Sequence, residues 1–261
     1  MSISKRIGFS LSGGGLSALS YVSFFETLRN EYGIEPSLIA GLSGGAMVAP
    51  YIANKVPKEE VFDVLCNLVT LRQLNWRLKH IEIIDHHSFA EYFREHLPVK
   101  VFQDLDTKTV IFATNVKTQE TEVLDTGDIA SAITASCSIY PIFMPVKRRG
   151  KLLTDGGYTT TYGSHFLRGM DLDALVGIDV TGINEGNMPR FFRSFYYSLN
   201  SAIRTFSNYE EKYDPVDLDI RLSVPAPSFM AFKHAKQKLF ATGDSYAHQY
   251  ASKIKKVHSQ L

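Results

Sequence analysis

The sequence predicts an α/β fold of three layers, with helices on both faces of a mostly parallel central sheet. Three observations carry that expectation. Short apolar runs alternate with helical patterns along the chain. Two glycine-rich strand-to-helix turns, Ser12-Gly13-Gly14-Gly15 and Gly41-Leu42-Ser43-Gly44-Gly45, are joined by a single helix pattern, the layout of a βαβ unit. No repeat, low-complexity tract or linker-like stretch interrupts the 261 residues, so one domain spanning 1–261 is expected.

The elements follow in order. Residues 6–11, RIGFSL, read as a short buried strand. Ala18, Tyr21, Val22, Phe25, Leu28 and Tyr32 then recur at three- and four-residue steps, and Gly33 ends the helix they define. SLIAGL is the second strand. GAMVAPYIANK reads as the following helix, kinked at Pro50. Residues 58–72 form a helix after Pro57, with Val61, Val64, Leu65 and Leu68 on one face. Ser88 and Glu91 have capping-box spacing for a helix carrying Phe89, Tyr92, Phe93 and Leu97. TVIFATN and TEVLD read as paired strands, and Asp128 as the cap of a short helix through IASAITAS. KLLTDGG and ALVGIDVTG are strands. Residues 189–210 are helical, DIRLSVP is a strand, and the chain is helical again from about residue 236.

Composition excludes several classes. Hydrophobic residues make up 44% and charged residues 21%, which fits a soluble globular chain. A net charge of +1 gives no global argument for a nucleic-acid partner. Cys66 and Cys137 stand far apart in no metal-like spacing, which favours a reducing compartment, the cytoplasm, over a disulfide framework. Lys5 and Arg6 precede an apolar run, but three consecutive glycines break it and no A-x-A site follows, so no signal peptide is expected. No apolar run reaches the length of a membrane span. The first glycine turn does not fit a dinucleotide loop, because Ala18 stands where the last glycine of G-x-G-x-x-G would fall. No phosphate loop of the G-x-x-x-x-G-K-[ST] kind is present, so no cofactor is expected. His86-His87 reads as a surface pair, and no metal site or calcium loop is expected.

Three pieces could carry chemistry. Gly41-Leu42-Ser43-Gly44-Gly45 lies between a strand and a helix, the order a nucleophile elbow needs. The flanking glycines remove side chains that would crowd the turn. Successive amides of Gly13, Gly14 and Gly15 can converge on an anion, either a phosphate or the oxyanion of an acyl-transfer intermediate. Asp155 stands at the end of an apolar strand before Gly156-Gly157, as a base or as a plain Asp-Gly turn. His165, His234, His248 and His258 follow Asp155, so a Ser–Asp–His order is also available.

Together these pieces resemble the patatin-like phospholipases. The resemblance rests on Ser12-Gly13-Gly14-Gly15, Gly41-Leu42-Ser43-Gly44-Gly45 and Asp155-Gly156-Gly157, with ASCSIYPIFMPV similar to the segment that family carries before its aspartate. It covers residues 7–160. It implies a patatin-like three-layer catalytic domain and a serine lipid acyl hydrolase of phospholipase A or lysophospholipase type. Ser43 would be the nucleophile and Asp155 the general base of a dyad without histidine. The oxyanion hole would come from Gly13, Gly14, Gly15 and Gly44. The implied partner is a lipid ester substrate, with peripheral contact to a membrane. The chain departs from the family pattern at Ser17, where a basic residue is common, at Gly44, often alanine, and at Pro50. An acyltransferase using the same acyl-enzyme is the alternative activity. A lipid-binding protein with an impaired site is the alternative class, and Ser17 is its one hint.

Two further segments have double readings. Residues 189–211 hold Phe191, Phe192, Phe195, Tyr196, Tyr197 and Phe206, as a core helix or as an acyl channel or bilayer contact. KRRGK, residues 147–151, reads as a solvated hairpin tip or as a contact for anionic head groups.

Overall fold

A computed structural model describes residues 6–68, 86–140, 143–181, 190–224 and 232–260. Eight strands are found among them: β1 (Ile7–Leu11), β2 (Leu38–Gly41), β3 (Lys108–Asn115), β4 (Thr121–Leu124), β5 (Val146–Arg148), β6 (Lys151–Asp155), β7 (Ala174–Thr181) and β8 (Leu218–Ser223). The described helices are α1 (Leu19–Tyr32), α2 (Gly44–Ala53), α3 (Lys58–Leu68), α4 (His86–His96), α5 (Ile129–Ser136), α6 (Ser164–Arg168), α7 (Arg190–Tyr213) and α8 (Phe232–Gln260).

The strands form one mixed sheet in the order β5-β6-β3-β2-β1-β7-β8, with β4 pairing β3 off that path. The run from β3 through β2, β1 and β7 to β8 is parallel throughout. The β3–β4, β3–β6 and β5–β6 pairs are antiparallel. Side chains alternate between the two faces of a strand, and here both faces are buried. Phe9, Leu11, Ile39, Ile111 and Ala113 join one large core with α1, α2 and α8. Leu38, Ala40, Leu42, Val110, Phe112 and Leu175 form a second cluster with Leu167 of α6 on the opposite face. Two cores on two faces make the three layers.

Several elements differ from the sequence expectation. α3 is described over Lys58–Leu68, and residues 69–72 of the expected helix lie outside the described residues. α4 contains His86 and Ser88, so Ser88 is not its cap, and Glu91 pairs instead with Arg94. Tertiary packing extends this helix: His86 and Phe89, about one turn apart, both pack on Phe143. α8 begins at Phe232, because Ala235 packs against the core a turn before Leu239. α2 includes Pro50 within Gly44–Ala53. Asp128 does cap α5, accepting from the Ser131 N–H at 2.8 Å.

KRRGK forms the β5–β6 hairpin, turning at Arg149 and Gly150 with φ of 48° and 78°. Two consecutive positive φ values suit a tight hairpin. The segment is not wholly a solvated tip, because Arg148 is buried. Among the α7 aromatics, Tyr197 is exposed, and the side chains of Phe191, Phe192, Phe195, Tyr196 and Phe206 lie outside the described residues. No described helix is long and apolar enough to cross a membrane.

α1 and α8 approach closely at Gly243. Ser23 and Thr27 of α1 and Lys58 of α3 all donate to the Asp244 carboxylate, Thr27 at 2.7 Å. Beside it, a Cβ on Gly243 would lie 2.3 Å from the Ser20 carbonyl oxygen and 2.9 Å from the Phe24 nitrogen. Gly243→Ala should therefore destabilise the fold by about 2–3 kcal/mol, against a helix-propensity gain of about 1 kcal/mol. The expected readout is a fall in Tm of about 5–10 °C. An unchanged Tm would mean that the two helices do not approach this closely.

Candidate active site

Ser43 sits between β2 and α2 with φ 48° and ψ −120°, a conformation costly for any residue with a Cβ. The turn is held from both sides. The Ser43 N–H donates to Ser136 Oγ at 2.9 Å, and Ser136 Oγ donates to the Phe112 carbonyl at 2.6 Å. The Ser43 carbonyl accepts from the Cys137 thiol and from the Met47 N–H, each at 3.2 Å. Both residues at the end of α5 are therefore clamps for the elbow. Residues 135–146 resemble a family segment as a whole, and nothing local in them signals that Ser136 and Cys137 contact Ser43 across more than 90 residues.

The sheet register brings Asp155 to the same place. β2 ends with Gly41 opposite Ile111, and Asp155 ends β6 opposite Ala113, two residues further along the same strand. A Cβ on Gly156 would lie 2.9 Å from Leu42 Cβ, so the two turns touch. Asp155 Oδ1 accepts from the Gly157 N–H at 2.8 Å. Oδ2 is buried and has no hydrogen bond of normal geometry. Burial pushes the Asp155 carboxyl up to about 7, while the Gly157 N–H and the Ser43 hydroxyl favour its charged form. With Ser43 at 7% and Asp155 at 3% exposure, little water reaches either group.

The loop of Gly13, Gly14 and Gly15 lies over this pair. A Cβ on Gly13 would stand 3.3 Å from Ser43 Cβ and 3.7 Å from Ser43 Oγ. A Cβ on Gly44 would come within 2.7 Å of the Gly15 nitrogen. Gly14 turns the loop with φ 145°, open to glycine alone, against Val180 of β7. Among the described residues, the N–H groups of Gly13, Gly14, Gly15 and Gly44 have no hydrogen-bond acceptor. Ser17 lies under the loop at 3% exposure with no hydrogen bond from its hydroxyl, so the position faces inward.

The loop is anchored by Ser12 of its own motif and by Tyr21 and Asp179, to which the sequence assigns no role in the site. Ser12 donates its N–H to the Ile178 carbonyl at 2.9 Å and its hydroxyl to Asp179. Tyr21 Oη lies 3.1 Å from Ser12 Oγ and accepts from the Val180 N–H at 3.0 Å. Burial holds the Asp179 carboxyl above its ordinary value, and Ser12 opposes the shift. On the other side, Glu210 of α7 accepts from Thr160 Oγ1 and from the N–H groups of Thr161, Tyr162 and Gly163. That carboxylate fixes the loop after Asp155.

The histidines stand elsewhere. His165 and His234 are exposed. His248 is exposed and bonds Tyr32 across the α1–α8 contact. None of the three hydrogen-bonds Ser43 or Asp155, and the His258 side chain lies outside the described residues.

A glycine-flanked serine at a strand-to-helix elbow, on a sheet covered on both faces, is the architecture of α/β serine hydrolases. The family model of the patatin-like phospholipases matches residues 9–164, more than half of the chain. The chain belongs to that family. It is similar to lysophospholipase nte1 of Aspergillus fumigatus, with 21% identity over 213 residues, 78% of this chain and 14% of that protein. It is also similar to lysophospholipase NTE1 of Phaeosphaeria nodorum, with 22% identity over 211 residues and the same two coverages. The chain thus spans about one seventh of the length of the curated relatives it matches. The crystal structure of VipD from Legionella pneumophila shares the fold, with a TM-score of 0.53 at 13% identity over 96% of this chain and 67% of that one.

Proposed function

We propose that this chain is a single-domain serine lipid acyl hydrolase of phospholipase A or lysophospholipase type, with Ser43 as nucleophile and Asp155 as general base. One observation carries the reading: the strained Ser43 faces a buried carboxyl that has one oxygen without a partner and is poised near neutral pH. Family membership and the lysophospholipase relatives support the substrate class.

In this mechanism Ser43 Oγ attacks the ester carbonyl carbon and its proton passes to Asp155 Oδ2. The negative charge gathers on the carbonyl oxygen, where the N–H groups of Gly13, Gly14, Gly15 and Gly44 donate to it. Collapse breaks the bond to the leaving alkoxide, which takes the proton from Asp155. Water then attacks the acyl-Ser43 ester and gives a proton to Asp155, and the serine is regenerated. A carboxyl near 7 is a stronger base than an ordinary aspartate and still ionises at neutral pH.

A fluorophosphonate probe tests this without knowledge of the lipid. The native protein should label on Ser43, and Ser43→Ala should not label. Asp155→Asn should label at least 100-fold more slowly, given the usual contribution of a general base. Labelling that survives in Ser43→Ala would place the nucleophile elsewhere.

A further inference from the structure

An open cavity of about 400 Å³ lies between α4, α5 and the β5–β6 hairpin. His86, His87, Lys147 and Arg148 line it, together with Ser131 and Thr134, and among the described residues no acidic side chain does. Arg148 is its unusual member. The side chain is buried, yet among the described residues no carboxylate pairs with it. Its Nε donates to Ser131 Oγ at 3.1 Å and its Nη2 to the Thr126 carbonyl at 3.0 Å. Those are neutral acceptors. Asp128 is the one carboxylate that acts on it electrostatically, and that carboxylate is taken by Arg94 at 3.0 Å and by the Ser131 N–H. Nη1 has no acceptor among the described residues.

A buried guanidinium without a counter-ion is costly unless an anion completes it. Guanidinium, lysine and imidazole around one cavity suit a tetrahedral oxyanion rather than a carboxylate held by one fork, while the Ser131 and Thr134 hydroxyls donate to the Asp128 and Ala130 carbonyls. We propose that this cavity binds a phosphate group, carried by an anionic lipid head group or free in solution, with Arg148 as its central ligand. α5 links the cavity to the elbow: Thr134 stands on the cavity wall, and Ser136, two residues on, holds the Ser43 N–H. The lipid source rests on the hydrolase reading; the phosphate chemistry does not.

The test reads binding rather than turnover. Inorganic phosphate at 10 mM, against chloride of equal ionic strength, should raise the Tm of the native protein by about 3 °C and that of Arg148→Met by less than about 1 °C. Vesicles of phosphatidylcholine with about 20% phosphatidic acid should retain Ser43→Ala at least fivefold better than Ser43→Ala/Arg148→Met. Phosphatidylcholine alone should not separate the two. A phosphate shift without the vesicle difference assigns the cavity to free phosphate. Should Arg148→Met fail to fold, Lys147→Gln/His87→Ala, on the cavity rim, must weaken both responses. If native protein and variants respond alike in both assays, or if Arg149→Gln outside the cavity loses as much vesicle binding as Arg148→Met, the proposal is wrong. Fluorophosphonate labelling of Ser43 is independent of all these results, so failure here leaves the hydrolase reading standing, and failure there leaves this one.

Discussion

Asp155→Asn is expected to lower ester hydrolysis about 10³-fold and, at pH 8, to make the protein more stable. The two effects have one cause. Burial holds the Asp155 carboxyl near 7, against an ordinary 3.8. The folded state therefore binds this proton more tightly than the unfolded chain does. Its stabilising contribution is complete below about pH 4 and is lost as pH rises through about 7. The gap corresponds to at most about 4 kcal/mol. Asparagine keeps the acceptor for the Gly157 N–H and carries no charge at any pH. At pH 8 its Tm should exceed that of the native protein by about 5 °C or more, and near pH 4 the difference should vanish. The native kcat/KM should fall about tenfold per pH unit below 7, because a protonated Asp155 cannot take the Ser43 proton. Thermal melts of both proteins from pH 4 to 8 decide the matter. If Asp155→Asn is destabilised equally across that range, the carboxylate is a structural acceptor and its basicity near neutral pH is not the source of activity.

Much of this arrangement is legible in the sequence, for an identifiable reason. Ser43 and the glycine loop each follow a short apolar strand, and neighbouring parallel strands bring those two ends to one edge. Local pattern is enough to place these two together, whereas Asp155 ends a strand antiparallel to β3 and meets them because β6 stops opposite Ala113, a register no local pattern shows. Partners drawn from distant elements were not legible. Ser136 reaches the Ser43 N–H across 93 residues, and Glu210 reaches the Thr161 N–H across 49. Neither leaves a periodic trace. Arg148 is the clearest case: charge patterning puts KRRGK on a hairpin, which is where it lies, but alternation along β5 turns one of its arginines inward. α4 shows the same limit, since Ser88 lies inside the helix and His86 and Phe89 pack on Phe143, contacts the Ser88–Glu91 spacing does not reveal.

The two glycines that follow Ser43 should separate catalysis from folding. A Cβ on Gly44 would stand 2.6 Å from the Gly15 carbonyl oxygen and 2.7 Å from its nitrogen. Gly14 and Gly15 are exposed, so the loop can move outward at modest cost in stability. The amides would then no longer point at the oxyanion, and losing such a donor costs about 10²–10³ in kcat. A Cβ on Gly45 would instead meet the Leu11 and Ser12 carbonyl oxygens at 2.5 and 2.8 Å. Those belong to the end of the buried β1, which cannot yield without disturbing its pairing with β2 and β7. Gly44→Ala should therefore retain most of its Tm and lose about 10²-fold in kcat with KM little changed. Gly45→Ala should lose about 3 kcal/mol or more of stability. With its loop seated on Gly44, this chain should not accept alanine after the serine. Full kcat in Gly44→Ala would mean that the Gly13–Gly15 loop does not hold the oxyanion, and the donors would have to be sought at the amino end of α2 alone.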